Sequence, residues 1–357
     1  MDKFFKALFL LLLLPFVAQA QSALSKYGND FLSTGAGARA LGMGSAYVAH
    51  TNDVTSAYWN VAGLSAVSDI EVMYMHSERF GGIVGYDYGA VALPLSSKNS
   101  VFSISFFRQG VDNIANTLNA WDKDRNAPKE NPEAYITRFS AADMAVFFSF
   151  ATQRSEMLSY GATAKIINQR LGPFANAWGY SLDIGAQFKT DFANFGISLR
   201  NITTLQKMWD VNENEFEGFQ EVFGDSIPSG QNEYVLPSVS LGASKEFSFN
   251  DFKLITALDT ELLFENRRAY YLNVGSMSLE PHVGAELSYK DLISFRTGVT
   301  DFVTDPVSGF SVSPTLGLGL QLKSFNLDYG FASFAGSTST LGFTHRISLR
   351  YMINSRL

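Results

Sequence analysis

Gly35-Ala36-Gly37-Ala38-Arg39-Ala40 fits the G-x-G-x-x-G/A spacing. At such a turn, backbone amides at a helix N-terminus can close on a pyrophosphate. That chemistry needs a buried strand before the turn and a helix after it, inside a βαβ unit. The residues ahead, Gln21 to Leu32, are polar and lack a β-branched run, and no βαβ alternation follows. No G-x-x-x-x-G-K-[ST] occurs either. The stretch therefore implies no nucleotide cofactor. Histidine occurs four times, at His50, His76, His282 and His345. None sits in H-E-x-x-H or beside a recognisable serine nucleophile, so each reads as structural rather than catalytic or metal-ligating. Asp259-Thr260-Glu261 and Arg267-Arg268 read as solvated charges at strand ends. Cysteine is absent, which removes thiol chemistry, Cys-ligated metal and a lipoprotein anchor. No catalytic residue, cofactor or metal is expected, and the chain reads as a non-enzyme.

The elements that would carry these residues are set by composition and period. Charged residues make up only 17% of 357 residues, against about 25% in soluble domains. Yet mean hydropathy is only +0.03, which suits apolar and polar residues that alternate finely. The net charge of −7, with no basic run, argues against a nucleic-acid partner. Lys3 and Lys6, an apolar run from Ala7 and an Ala18-Gln19-Ala20 site read as a cleaved signal peptide over residues 1–20. No later stretch is long and apolar enough to cross a bilayer as a helix.

Past residue 70 the dominant period is two. In Phe325-Asn-Leu-Asp-Tyr-Gly-Phe331 the odd positions are large and apolar and the even ones polar or small. Thr315 to Leu322 and His282 to Lys290 repeat the pattern. The apolar faces are nearly unbroken, and the opposite faces carry Gly, Ser, Asn, Asp, Lys and Arg. Segments of about 9–13 residues suit tilted membrane-crossing strands. About fourteen such segments, an even number, predict an all-β fold: an outer-membrane antiparallel β-barrel. Inward positions include Lys165, Asp183, Arg200, Glu286, Arg296, Asp328, Arg346 and Arg350, which read as ion-pair networks bracing the wall. Residues 69–357 form the barrel in this reading, with long extracellular loops at 111–138 and 203–234. Residues 21–68 find no place in the wall and read as a plug, or hatch, in the lumen, where small residues pack closely.

Gly35-Ala-Gly-Ala-Arg-Ala-Leu-Gly-Met-Gly44, Asp53 and Tyr58-Trp-Asn-Val-Ala-Gly-Leu64 resemble the PorV/PorQ family of outer-membrane proteins. That family shows G-A-R-A-x-G-M-G, an Asp in D-D-x-x-A, and W-N-P-A-G-L. Here Val61 replaces the proline, and Asn52-Asp53 the acidic pair. The family is similar to FadL fatty-acid transporters, fourteen-stranded barrels with an N-terminal hatch. On this resemblance Gly35, Gly37, Arg39, Gly42, Gly44, Asp53, Trp59, Asn60 and Gly63 form the plug motif. It implies a bacterial outer-membrane component of the type IX secretion system. Its partners would be a secretion translocon barrel, secreted proteins with a C-terminal sorting domain, and outer-membrane lipid. Trp121, Trp209, Phe216 and Phe219 in the long loops are the contact candidates. The alternative is a FadL-like transporter of hydrophobic compounds.

Overall fold

The computed structural model describes residues 30–95, 99–122, 124–216, 232–264, 272–305, 309–333 and 342–353. The signal-peptide reading, Arg267-Arg268 and Phe219 lie outside the described residues.

The wall begins with β1 (Ile70–Arg79), β2 (Val84–Leu95) and β3 (Ser100–Asn116). β4 (Thr137–Gln153), β5 (Leu158–Leu171) and β6 (Ala175–Lys189) follow. β7 comes in two pieces, Asn194–Arg200 and Leu205–Val211, as does β8, Asn232–Val235 and Ser238–Phe249. Then come β9 (Phe252–Leu263), β10 (Met277–Tyr289) and β11 (Ile293–Asp305). β12 (Gly309–Leu322), β13 (Phe325–Ser333) and β14 (Phe343–Ile353) complete it. Each strand pairs antiparallel with its sequence neighbours. β14 pairs back onto β1, from Ile70 opposite Ile353 to Glu78 opposite His345, so the 14-strand barrel is closed. Closure gives every wall strand a hydrogen-bonded neighbour on both sides, which a lipid environment demands.

The alternation runs opposite to that of a soluble protein. On β12, Leu316 and Leu318 face out at 47% and 54% exposed, while Thr315 between the strands' inward neighbours is fully buried. The large apolar residues thus coat the exterior and the small polar ones line the lumen, as in barrels that sit in lipid. One end has tight connections. Asn250 and Lys323, both with positive φ, sit in the two-residue turns before β9 and β13. The opposite end carries the long connections, which face the exterior in bacterial barrels.

The strand pattern is recovered closely, but the long loops are shorter than the period suggested. β3 runs to Asn116 and β4 starts at Thr137, so Val111–Asn116 and Thr137–Arg138 are ladder rather than loop. A register shift between Val111 and Ile114 inverts the alternation there, which hid these residues from a period-two reading. Leu205–Val211 and Asn232–Val235 likewise belong to the wall. They follow a break at Asn201–Thr204, where Asn201 and Thr204 both adopt positive φ. There the Ile202 amide still donates to the Leu182 carbonyl at 2.9 Å, so β6 stays attached across the break.

Residues 30–69 lie within the barrel. α1 (Asp30–Ser33), α2 (Ala38–Gly42) and α3 (Ser56–Trp59) are each about one turn long, and a 3₁₀ helix at Val61–Ala66 about two. Isolated helices this short do not hold themselves together in water, so their form comes from the wall.

Candidate functional site

The plug motif is the place where the inner element meets the wall. Arg39 donates to both carboxylate oxygens of Glu286 on β10, at 2.8 and 2.7 Å. Glu286 also accepts from Arg296, which bonds Asp328 at 2.7 Å. This bidentate geometry makes the plug arginine part of a buried charge network with β10, β11 and β13. Asp53 accepts from the Thr55 amide at 2.8 Å and from the Tyr47 hydroxyl at 3.1 Å. Arg350 lies 3.6 Å from Asp53 and 3.2 Å from Glu71, whose other oxygen takes the Val54 amide at 2.9 Å. Burial opposes the charge on Asp53, but Arg350, Arg39 and the Thr55 donors win, holding its carboxyl below the ordinary value.

Trp59 donates its indole N–H to the Ala36 carbonyl at 2.7 Å, and a Cβ on Gly35 would stand 2.8 Å from its ring. Asn60 donates to Val48 and to Ala186 of β6 at 3.0 and 3.1 Å. Its Oδ1 accepts the Ala62 amide at 3.2 Å, capping the 3₁₀ turn. Gly37 donates to Met75 Sδ at 3.0 Å. Gly42 lies against Gly317, where a Cβ would be 2.9 Å from its Cα. Gly44 meets Val299, 2.6 Å from its amide nitrogen by the same measure, and Gly63 abuts the Thr51 carbonyl. Gly37, Arg39, Gly42, Gly44, Asp53 and Asn60 thus touch the wall, while Gly35, Trp59 and Gly63 pack within the inner segment.

Sequence reasoning missed part of that seat. Asp259 is not a solvated strand-end charge. It is buried, and one of its oxygens accepts the Tyr47 and Val48 amides at 2.6 and 2.7 Å. Arg346, fully buried, donates to the carbonyls of Thr34 and Gly37 at 2.7 and 3.2 Å. The Ser348 hydroxyl accepts the Ala38 amide at 2.8 Å. The inward charges read as wall braces do pair: Lys165 with Asp183 at 2.8 Å, and Arg200 with Glu261 at 3.7 Å. Others of them hold the plug as well.

His50 lies in the plug, edge-on to Tyr47 at 4.7 Å. Its two ring nitrogens are shielded from solvent and make no hydrogen bond. Burial, with the Arg39 charge, pushes the imidazole down to about 3. The folded value lies below the unfolded value of about 6.5, so the unfolded chain binds more protons between them. Stability is therefore full above about pH 6.5 and falls as pH drops, by no more than about 1.4 kcal/mol per pH unit from this group. His50→Gln is expected to flatten the fall in unfolding temperature between about pH 6.5 and pH 5. An unchanged slope in a thermal melt series would assign the acid sensitivity to other groups.

Above the plug, toward the long-loop end, lies a cavity of about 500 Å³. Its lining includes apolar and aromatic residues: Phe31, Tyr58, Trp59, Tyr86, Phe147 and Leu236. It also includes polar and charged ones: Lys165, Asp183, Arg200, Glu261, Glu280 and His282. The two sets meet where the Arg200 guanidinium lies 5.0 Å from the Tyr58 ring centre. The cavity reaches the wall at Asn201, Leu236 and Pro237, where β7 and β8 are both interrupted.

The described loop aromatics sit in different elements. Trp121 lies in a two-stranded ribbon with Ala127–Pro128 between β3 and β4. Trp209 belongs to β7, with Lys207 5.8 Å from its ring. Phe216 packs on Phe174 at 5.4 Å.

No protein-family model matches the sequence, and no curated protein matches it. Solved structures do resemble the fold. The Pseudomonas putida toluene transporter TodX is 12% identical with a TM-score of 0.54, covering 88% of this chain and 96% of its own. The Ralstonia pickettii toluene transporter TbuX is 12% identical with a TM-score of 0.54, covering 90% and 99%. The CymD monoaromatic hydrocarbon channel is 13% identical with a TM-score of 0.55, covering 91% and 99%.

Proposed function

Starting from a plugged, FadL-like barrel fold, we propose that the protein is a bacterial outer-membrane uptake channel for small, largely apolar molecules with one polar group. The observation that carries this is the cavity above the plug, lined by both aromatic and charged side chains. A volume of about 500 Å³ falls within the range of small-molecule sites, roughly 300–1,000 Å³. The solved neighbours are named as toluene transporters and a monoaromatic hydrocarbon channel, which supports the same class of cargo. The molecule enters from the long-loop end and lays its apolar body on Tyr58, Trp59 and Phe147. Its polar group meets Arg200 or the facing carboxylates. The joint interruption of β7 and β8 beside Leu236 is its sideways exit.

The test is binding of a monoaromatic alcohol or phenol to the purified protein in detergent. Leu236→Asp, which puts a charge on the apolar rim, should weaken that binding by about tenfold or more. Equal binding by both proteins, or none by the parent, would refute the assignment.

A second reading, an adaptor of the type IX secretion system, is favoured by the plug motif and by the many bonds that hold the plug in place. In that role Trp121, Trp209, Phe216 and Phe219 would meet secreted proteins or a translocon barrel, in contact with outer-membrane lipid.

A further inference from the structure

We propose that Glu261, Glu280 and His282 form a binding site for a divalent first-row transition-metal ion in the wall of the cavity. Glu261 on β9 and Glu280 on β10 are directly opposed across the ladder. That register brings two carboxylates side by side, a pairing that a shared cation favours. His282, two residues on from Glu280, shares the inward face. One carboxylate oxygen from each glutamate and one imidazole nitrogen lie within 4.8 Å of one another.

The tautomer of His282 decides what these groups want. Its Nδ1 is 3.1 Å from the Gly44 carbonyl of the plug and 2.9 Å from Thr300 Oγ1. A carbonyl only accepts, so Nδ1 carries the proton and donates to Gly44, leaving the lone pair on Nε2. Nε2 is 4.0 Å from Glu280 Oε1, too far for a hydrogen bond. A lone pair and two carboxylates therefore converge in a residue set that is mostly buried, His282 being 9% exposed. A backbone carbonyl on the far ring nitrogen is the usual support of a metal-ligating histidine.

Donors each about 2.0–2.2 Å from a tetrahedral metal stand about 3.3–3.6 Å apart, so side-chain movements of about an ångström close the set. The nitrogen donor selects against Ca²⁺ and Mg²⁺, which take oxygen ligands, and suits Zn²⁺ and its neighbours. Three protein ligands leave a position open toward the cavity. Glu261 is partly engaged by Ser238 at 2.9 Å and Arg200 at 3.7 Å, while Asp301 adds another carboxylate to the cavity lining. The site stands whether or not the cavity takes an apolar molecule. Because the plug's Gly44 orients His282, metal occupancy also strengthens the plug seat.

The experiment is calorimetric titration of the full chain in detergent with Zn²⁺, then with Ca²⁺. One equivalent of Zn²⁺ should bind, at least about tenfold more tightly than to His282→Asn or the isosteric Glu280→Gln. Thermal melts of the metal-free proteins check that both variants fold. His76, outside the wall with Asp87 at 2.9 Å, is the alternative surface ligand; with the lumenal set as the site, His76→Asn should leave the titration unchanged. The proposal is overturned by no Zn²⁺ binding, by binding retained in both lumenal variants, by loss in His76→Asn, or by equal binding of Ca²⁺.

Discussion

Glu286→Ala should loosen the plug and lower the stability of the barrel by about 3–5 kcal/mol, the usual cost of breaking a buried ion pair by removing one partner. Glu286 alone joins the plug's Arg39 to the wall's Arg296, and both side chains of the Glu286–Arg296 pair are 5% exposed. Without it, Arg39 keeps hydrogen bonds to the Tyr47 hydroxyl and Asn52 at 3.1 and 3.3 Å but loses its bidentate acid. The Arg296 charge retains Asp328. The measurement is the unfolding midpoint in detergent together with single-channel conductance in a planar bilayer. A lower midpoint with larger or more frequent openings is expected. Adding Arg39→Met in the same background removes the stranded guanidinium and should restore part of the midpoint. A Glu286→Ala protein that melts and conducts like the parent would show that the plug is held by something else.

Gly298→Ala should unseat the plug by another route, steric rather than electrostatic. A Cβ there would stand 2.5 Å from the Met43 carbonyl carbon and 2.7 Å from Gly44 Cα, and closer still to the Gly44 amide nitrogen. These are backbone atoms, so no side chain can swing aside. Overpacking of this kind costs about 1–3 kcal/mol, and Gly298→Val should cost more. Gly319, where the nearest atoms are the ends of the Arg296 and Asp328 side chains, supplies the contrast. There an added methyl group disturbs charges rather than backbone, so the conductance signature should differ. If Gly298→Ala conducts and melts as the parent does, the close packing of Gly44 on β11 is not what seats the plug.

How much of this could be read from sequence depends on the range of each interaction. The barrel was legible because its signal is local. Each wall strand carries its own alternation, and turns such as Asn250-Asp251 punctuate it. The strand ends were misread where local pattern fails, at the Val111–Ile114 register shift and after the positive-φ break at Asn201. That Arg39 and Asp53 belong with the glycines, Trp59 and Asn60 was legible only through a family resemblance. What those two bind was not, because Arg39 meets Glu286 across 247 positions of sequence. Asp259-Thr260-Glu261 shows the limit most sharply. Read alone it is a polar strand end. Register sets Asp259 opposite Gly242, whose missing side chain lets the Tyr47 and Val48 amides reach the carboxylate. The same register sets Glu261 against Glu280.

The central claim is that the cavity above the plug carries a small molecule. It is tested most directly by native mass spectrometry of the protein extracted in mild detergent from the cells that make it, with organic extraction of the same sample. The account predicts a single barrel retaining a stoichiometric small apolar compound that bears one polar group, lost on Leu236→Asp. An empty barrel recovered with a larger translocon or with secreted proteins would contradict it, and would make the plugged barrel a secretion adaptor instead.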